Sequence, residues 1–164
     1  MFLSCADLEK VDGLSVENFN EYALSGMFSD CSSLTSVQDL HIDNSENAKN
    51  KTGTAKCYSM FQNCNSLLSV EGLIKGLYGQ RPLGYMFKNC TSLKDASKLS
   101  VEINYGQNYT SYMFDGCSEL ESMPVLLSGE QGFSSFKYSN MFSKCTKLKN
   151  VNPLPDVKPY ISMY

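Results

Sequence analysis

Residues 57–67 read Cys57-Tyr58-Ser59-Met60-Phe61-Gln62-Asn63-Cys64-Asn65-Ser66-Leu67, and the same order returns at Tyr85-Met86-Phe87-Lys88-Asn89-Cys90-Thr91-Ser92-Leu93. Outward from these stretches, Met-Phe stands at 1–2, 27–28, 60–61, 86–87, 113–114 and 141–142, at intervals of 26, 33, 26, 27 and 28 residues. Taking each Met as position zero, Cys falls at +4 every time: Cys5, Cys31, Cys64, Cys90, Cys117 and Cys145. Leu falls at +7 (Leu8, Leu34, Leu67, Leu93, Leu120, Leu148) and again at +13 (Leu14, Leu40, Leu73, Leu99, Leu126, Leu154). An apolar residue holds +10: Val11, Val37, Val70, Ala96, Met123 and Val151. The unit is Met-Phe-x-x-Cys-x-x-Leu-x-x-Φ-x-x-Leu, with Φ apolar, followed by a variable stretch. A period of this length marks supersecondary units that bury their apolar faces only by stacking on one another.

This periodicity predicts one repeat array over 1–164, with units starting near 1, 27, 60, 86, 113 and 141. Tyr160-Ile161-Ser162-Met163-Tyr164 parallels Tyr138-Ser139-Asn140-Met141-Phe142, which predicts a truncated seventh unit at 163. Stacked units need polar caps at their ends. None is visible, so a segment of a longer array is expected.

The spacing also predicts a local conformation. Residues three apart drift by about 60° per step around a helix, so the whole unit would smear over too wide a surface to be one helix. Positions zero, one and four do share a helical face, and Pro124, Pro153 and Pro155 disfavour helix later in the unit. The expectation is an α/β repeat solenoid, with leucine-rich-repeat-like coils. Each coil would have a short helical turn over Met-Phe-x-x-Cys and a short parallel strand over Leu-x-x-Φ-x-x-Leu.

The motif Met-Phe-x-x-Cys-x-x-Leu, as it stands at Met60–Leu67 and Met86–Leu93, resembles the BspA-like leucine-rich repeat surface proteins, and in particular the repeat type found in Bacteroidetes and mycoplasma surface proteins. The resemblance covers nearly the whole chain. It implies a curved stack of short strands and short helical segments. It also implies a surface-exposed role in attachment to host matrix, cells or neighbouring bacteria.

Composition narrows the function classes. The chain has 164 residues, 42% of them hydrophobic and 19% charged, and a net charge of −3, without the basic stripe of a nucleic-acid binder. No apolar run reaches the roughly 18–20 residues of a membrane span. Met1-Phe2-Leu3-Ser4-Cys5-Ala6-Asp7 lacks the basic start and apolar core of a signal peptide.

Six of the seven cysteines form the +4 column, with no Cys-x-x-Cys pair and a single His in the chain, which argues against zinc. Neighbouring cysteines would lie near bridging range, but parallel Cβ vectors about 5 Å apart suit a disulfide poorly. Buried free thiols packing as small apolar groups are the expectation, with Cys57, outside the column, the most reactive of them. The Met-Phe column reads as core rather than a cofactor box. His41 is the one available imidazole base, and no Gly-x-Ser-x-Gly, His-Glu-x-x-His or phosphate loop accompanies it. The chain therefore reads as no enzyme, with no cofactor. Asn50-Lys51-Thr52, Asn89-Cys90-Thr91 and Asn108-Tyr109-Thr110 match the glycosylation sequon, which has no meaning in a bacterial source. The long interval from His41 to Ser59 reads as a polar excursion on one face.

What remains is a surface. The candidate binding residues lie between core positions, at Lys10, Asp12, Gln38, Asp39, Glu71, Lys94, Asp95, Lys98, Glu121 and Lys149, and in the tyrosines that precede the Met-Phe pairs, Tyr85 and Tyr112. The reading is a non-enzymatic adhesion or recognition module at the cell surface or outside the cell, presenting its scaffold to a protein or glycan partner. The alternative is a structural spacer or decoration segment of a surface stalk or virus particle, associating end to end.

Overall fold

From Ser36 to Asp43 the apolar residues Val37, Leu40 and Ile42 turn inward while Gln38 and Asp39 face out. Two consecutive exposed residues break the strict alternation of a strand, and the break is a bulge. The computed structural model describes residues 2–50, 55–103, 110–128, 138–149 and 151. Within them lie β1 (Lys10–Asp12), β2 (Ser15–Glu17), β3 (Ser36–Asp43), α1 (Ser45–Asn50), β4 (Ser69–Lys75), β5 (Leu99–Ile103) and β6 (Val125–Ser128).

The six strands form one sheet in the order β1-β3-β4-β5-β6, with β2 also pairing β3. Every strand pair is parallel. Register brings like positions together: Val11 opposite Val37, Val37 opposite Val70, and the row Val16, Ile42, Ile74, Val101, Leu126. The first edge is split into β1 and β2 around Gly13, whose φ is 65°, and β3 bulges beside it at Asp39, φ 51°. Next in line is Gly72, φ 141°, where a Cβ would lie 2.0 Å from the carbonyl oxygen of Leu40. The bend crosses three neighbouring strands, and only a glycine fits in the third.

The expected α/β repeat solenoid, with a helical turn in every unit, is overturned. The architecture is a mostly parallel six-stranded β-sheet, and the single helix among the described residues, α1, falls in the long interval after Asp43 rather than on a Met-Phe segment. The backbone gives the reason. Around Met60, the amides of Met60, Gln62 and Cys64 donate three residues back, to the carbonyls of Cys57, Ser59 and Phe61. The alternate amides of Ser59, Phe61 and Asn63 donate sideways, to Gly84, Met86 and Lys88. Around Met86 the scheme is the same, with Tyr85, Phe87 and Asn89 donating to Ser111, Met113 and Asp115. An α-helix would send each amide four residues back. Here half the amides close local turns and half join neighbouring segments.

That alternation needs left-handed residues. They fall at −1 (Gly26, Ser59, Tyr85, Tyr112, Asn140) and at +3 (Ser4, Asp30, Asn63, Asn89, Gly116, Lys144), with φ between 50° and 82°. A right-handed helix cannot contain them. The strands also begin later than predicted, at +9 in β1, β3 and β4 rather than at the +7 Leu.

The core is a set of columns. Phe2, Phe28, Phe61, Phe87, Phe114 and Phe142 stack in sequence with centroids 5.2–5.7 Å apart and planes within 12°. Leu34, Leu67, Leu93 and Leu120 are fully buried beneath them. All seven cysteines are free thiols. Cys31, Cys64, Cys90, Cys117 and Cys145 each donate Sγ–H to the carbonyl of the Phe one unit earlier, at 3.1 Å. Burial pushes the Cys64 thiol up to about 12, and it likewise raises Cys57 and Cys117. Cys57, expected to be the most reactive, is fully buried. The predicted seventh unit at 163, with Leu154 and Tyr160, lies outside the described residues, as do Lys51 and Thr52 of one sequon and Asn108 and Tyr109 of another.

Candidate functional site

Among the strand-face residues, the charges of Glu71, Lys94, Lys98, Glu121 and Lys149 are committed to one another. Glu121 lies between Lys94 and Lys149, with its carboxylate oxygens 3.5 and 2.6 Å from the two ammonium groups. The hydrogen bond from Lys149, reinforced by its charge and by Lys94, outweighs burial and lowers the Glu121 carboxyl. Lys98 reaches Glu71 at 3.4 Å. These pairs tie one unit to the next. Being exposed, each contributes little to stability.

Asp95 is engaged differently. Its Oδ1 accepts the Ser97 amide at 2.8 Å and so shapes the turn that leads to β5. Asp39 occupies the left-handed bulge residue of β3. Lys10 and Asp12 are exposed on β1, opposite Ser36 and Gln38, and the Gln38 carbonyl accepts the Gly13 amide. The structure thus places these ten residues along the strands and turns of one sheet, most of them in structural roles.

Tyr85 and Tyr112 lie apart from that set, on the turn segments. Their rings are parallel within 2° with centroids 5.1 Å apart, and Tyr58 meets Tyr85 edge-on at 5.3 Å. All three are half-buried. Both stacked tyrosines sit at the −1 position with φ 57°, where other units carry Gly26, Ser59 and Asn140. A left-handed conformation costs a residue with a Cβ about 1–2 kcal/mol, and a bulky residue there is an outlier.

The structure adds residues that the sequence reading passed over. Lys88 Nζ lies 5.0 Å from the Tyr85 ring centroid and 5.9 Å from that of Tyr112. The same ammonium is 3.4 Å from Asp115 Oδ2, while Lys144 Nζ stands 3.9 Å from Asp115 Oδ1. Asp115 is buried, its side chain 5% exposed, and its Oδ1 accepts no hydrogen bond. A signal for this pair was present: Lys88 and Asp115 both occupy +2, in consecutive units, with opposite charge. A second cross-unit chain runs at +3, where Asn63 donates to Asp30 at 2.8 Å and Asn89 donates to Asn63 at 3.0 Å.

No family model, no curated protein and no solved structure matches this chain. Its chemistry is carried by its own geometry.

His41 lies on the open strand face of β3, its Nε2 3.8 Å from Glu17 Oε1 across the β2–β3 pair. Further along, Asp43 and Lys75 pair at 2.9 Å. Among the described residues, no cluster of three or more His, Cys, Asp or Glu is placed to hold a metal ion, and no helix is long and apolar enough to cross a membrane.

Proposed function

We propose that this chain is a non-enzymatic recognition module of a surface protein, of the kind suggested by its likeness to BspA-like proteins, and that it presents a rigid sheet and turn scaffold to a protein or glycan partner. One observation carries the reading. The strand-face charges of Glu71, Lys94, Lys98, Glu121 and Lys149 are spent in pairs between units, whereas the Tyr58–Tyr85–Tyr112 stripe holds two bulky residues in strained left-handed conformations at the surface. The amide alternation imposes that conformation at −1, and two consecutive segments keep a bulky aromatic there at its cost.

The test is capture. Immobilised folded protein is offered a panel of extracellular matrix proteins and glycans, with heat-unfolded protein as the control. Binding of one class that is lost on unfolding is the expected result. Failure to bind any member overturns the reading.

A second reading, a structural spacer in a surface stalk or virus particle, draws on Phe2 and Leu3, which are 44% and 60% exposed at the β1 end of the Phe column. It predicts a sedimentation coefficient that rises with concentration, and an unchanging monomer would rule it out.

A further inference from the structure

Building on the recognition reading, we propose that the tyrosine stripe is a docking site for an acidic segment of a partner protein, with Arg81, Lys88 and Lys144 supplying the charge and Tyr85 and Tyr112 the hydroxyl donors.

The stacking decides which ring atoms a ligand can reach. Tyr85 and Tyr112 stack on each other, so one face of each ring is covered by its neighbour and the pair presents no continuous two-ring platform to a sugar. What they offer a ligand is ring edge, the electropositive part of an aromatic, and hydroxyl. Tyrosine and arginine are also enriched where proteins meet proteins.

The charges point the same way. Asp115 holds its carboxylate inside, while the Lys88 ammonium it anchors belongs to a side chain that is 29% exposed and Lys144 is 76% exposed. Negative charge is therefore sequestered and positive charge displayed. Arg81 is exposed, makes no ion pair among the described residues and flanks Tyr58, since a Cβ on Gly84 would meet both the Arg81 Cβ and the Tyr58 ring at 3.2 Å. This is a local cationic surface on a chain of net charge −3. The strand-face lysines differ in that their carboxylates are displayed with them: Lys94 and Lys149 share Glu121, 28% exposed, and Lys98 has Glu71, 32% exposed. A carboxylate-rich peptide is the complement of such a surface.

The test measures fluorescence anisotropy of labelled oligoglutamate with the full chain at about 0.15 M ionic strength. Arg81→Glu and Lys144→Glu are compared with Lys147→Glu, which makes the same change of charge at a lysine paired with Glu119. Thermal melts establish that each variant folds. The expected result is binding by the unaltered chain that Arg81→Glu and Lys144→Glu each weaken about fivefold or more, and Lys147→Glu less than about twofold. Equal losses in all three variants, or no binding, overturn the proposal. So does tighter binding of polygalacturonate than of oligoglutamate, which would mark the stripe as a glycan site. If Arg81→Glu leaves capture of the matrix panel intact, the acidic-peptide site falls and the recognition reading stands. If the unaltered chain captures nothing from that panel, the recognition reading falls.

Discussion

Cys90 donates its Sγ–H to the carbonyl oxygen of Phe61 at 3.1 Å, the same oxygen that receives the Cys64 amide at 3.3 Å. A carbonyl has two lone pairs, and here both are used. The arrangement explains why a thiol recurs at +4. The site is apolar and fully buried, which suits a small soft side chain, yet it also asks for one donor. Cys90→Ala loses both bulk and donor and should cost about 2 kcal/mol. Cys90→Ser keeps a donor and should cost about 1 kcal/mol less than the alanine variant. Urea denaturation measures both, and a serine variant less stable than the alanine one would show that the hydrogen bond contributes nothing.

Phe87 lies fully buried between Phe61 and Phe114, with centroid distances of 5.4 and 5.2 Å. Phe87→Ala should therefore destabilise the protein by about 3–5 kcal/mol. Lys94, 64% exposed and paired with Glu121, should lose less than about 0.5 kcal/mol on replacement by alanine. Equal and small losses in thermal melts of the two variants would contradict the assigned facing.

Gly13 and Gly72 separate conformational strain from collision. A Cβ on Gly13 meets nothing within 4 Å, so Gly13→Ala should cost only the left-handed penalty of about 1 kcal/mol. On Gly72 the added atom would strike the Leu40 carbonyl, so β3 and β4 must part. Gly72→Ala should be at least about 3 kcal/mol worse than Gly13→Ala, because a buried strand pairing is lost together with its packing. Comparable urea midpoints for the two variants would refute the close approach.

Asp43 makes stability depend on acid. Burial works to raise its carboxyl, but hydrogen bonds from Ser45 and Lys75, together with the Lys75 charge, outweigh it and hold the group at about 2. The unfolded carboxyl titrates near its ordinary value of about 3.9. The stabilisation is therefore fully present above about pH 4 and is lost as pH falls toward 2. Asp43→Asn should flatten that part of a plot of urea midpoint against pH, and an unchanged acid limb would show that the Asp43–Lys75 pair is not its source.

The columns were legible in the sequence because residues of one phase meet across neighbouring segments: Phe61, Cys64 and Leu67 are all fully buried, as their recurrence implies. The helical turn was misread because zero, one and four also describe successive turns that close three residues back. The corrective signal lay at +3, where Asp30, Asn63, Asn89 and Gly116 are the residue types that tolerate a left-handed backbone. At the candidate site, Tyr85 and Tyr112 were found from their place before Met-Phe. The pairing of Lys94, Glu121 and Lys149 could have been read from their alternating sign at one shared phase. The burial of Asp115 could not, since at +2 the other units carry Leu3, Ser29, Gln62, Lys88 and Ser143, with no common polarity.

The sideways amide bonds hold the Met-Phe segments in step, and the sheet register does the same for the strands, while the chain that runs from strand end to next Met is tied at points such as the Lys56 amide to Glu21 and the Cys57 amide to Pro82. That stretch is where length varies: the interval from Met27 to Met60 is 33 residues against 26 from Met60 to Met86, and the seven additional residues are accommodated where α1 lies, with β3 and β4 still paired. Growth by insertion is thus confined to one seam of the molecule, and loops of new length can be grafted there while the metre of the scaffold is kept.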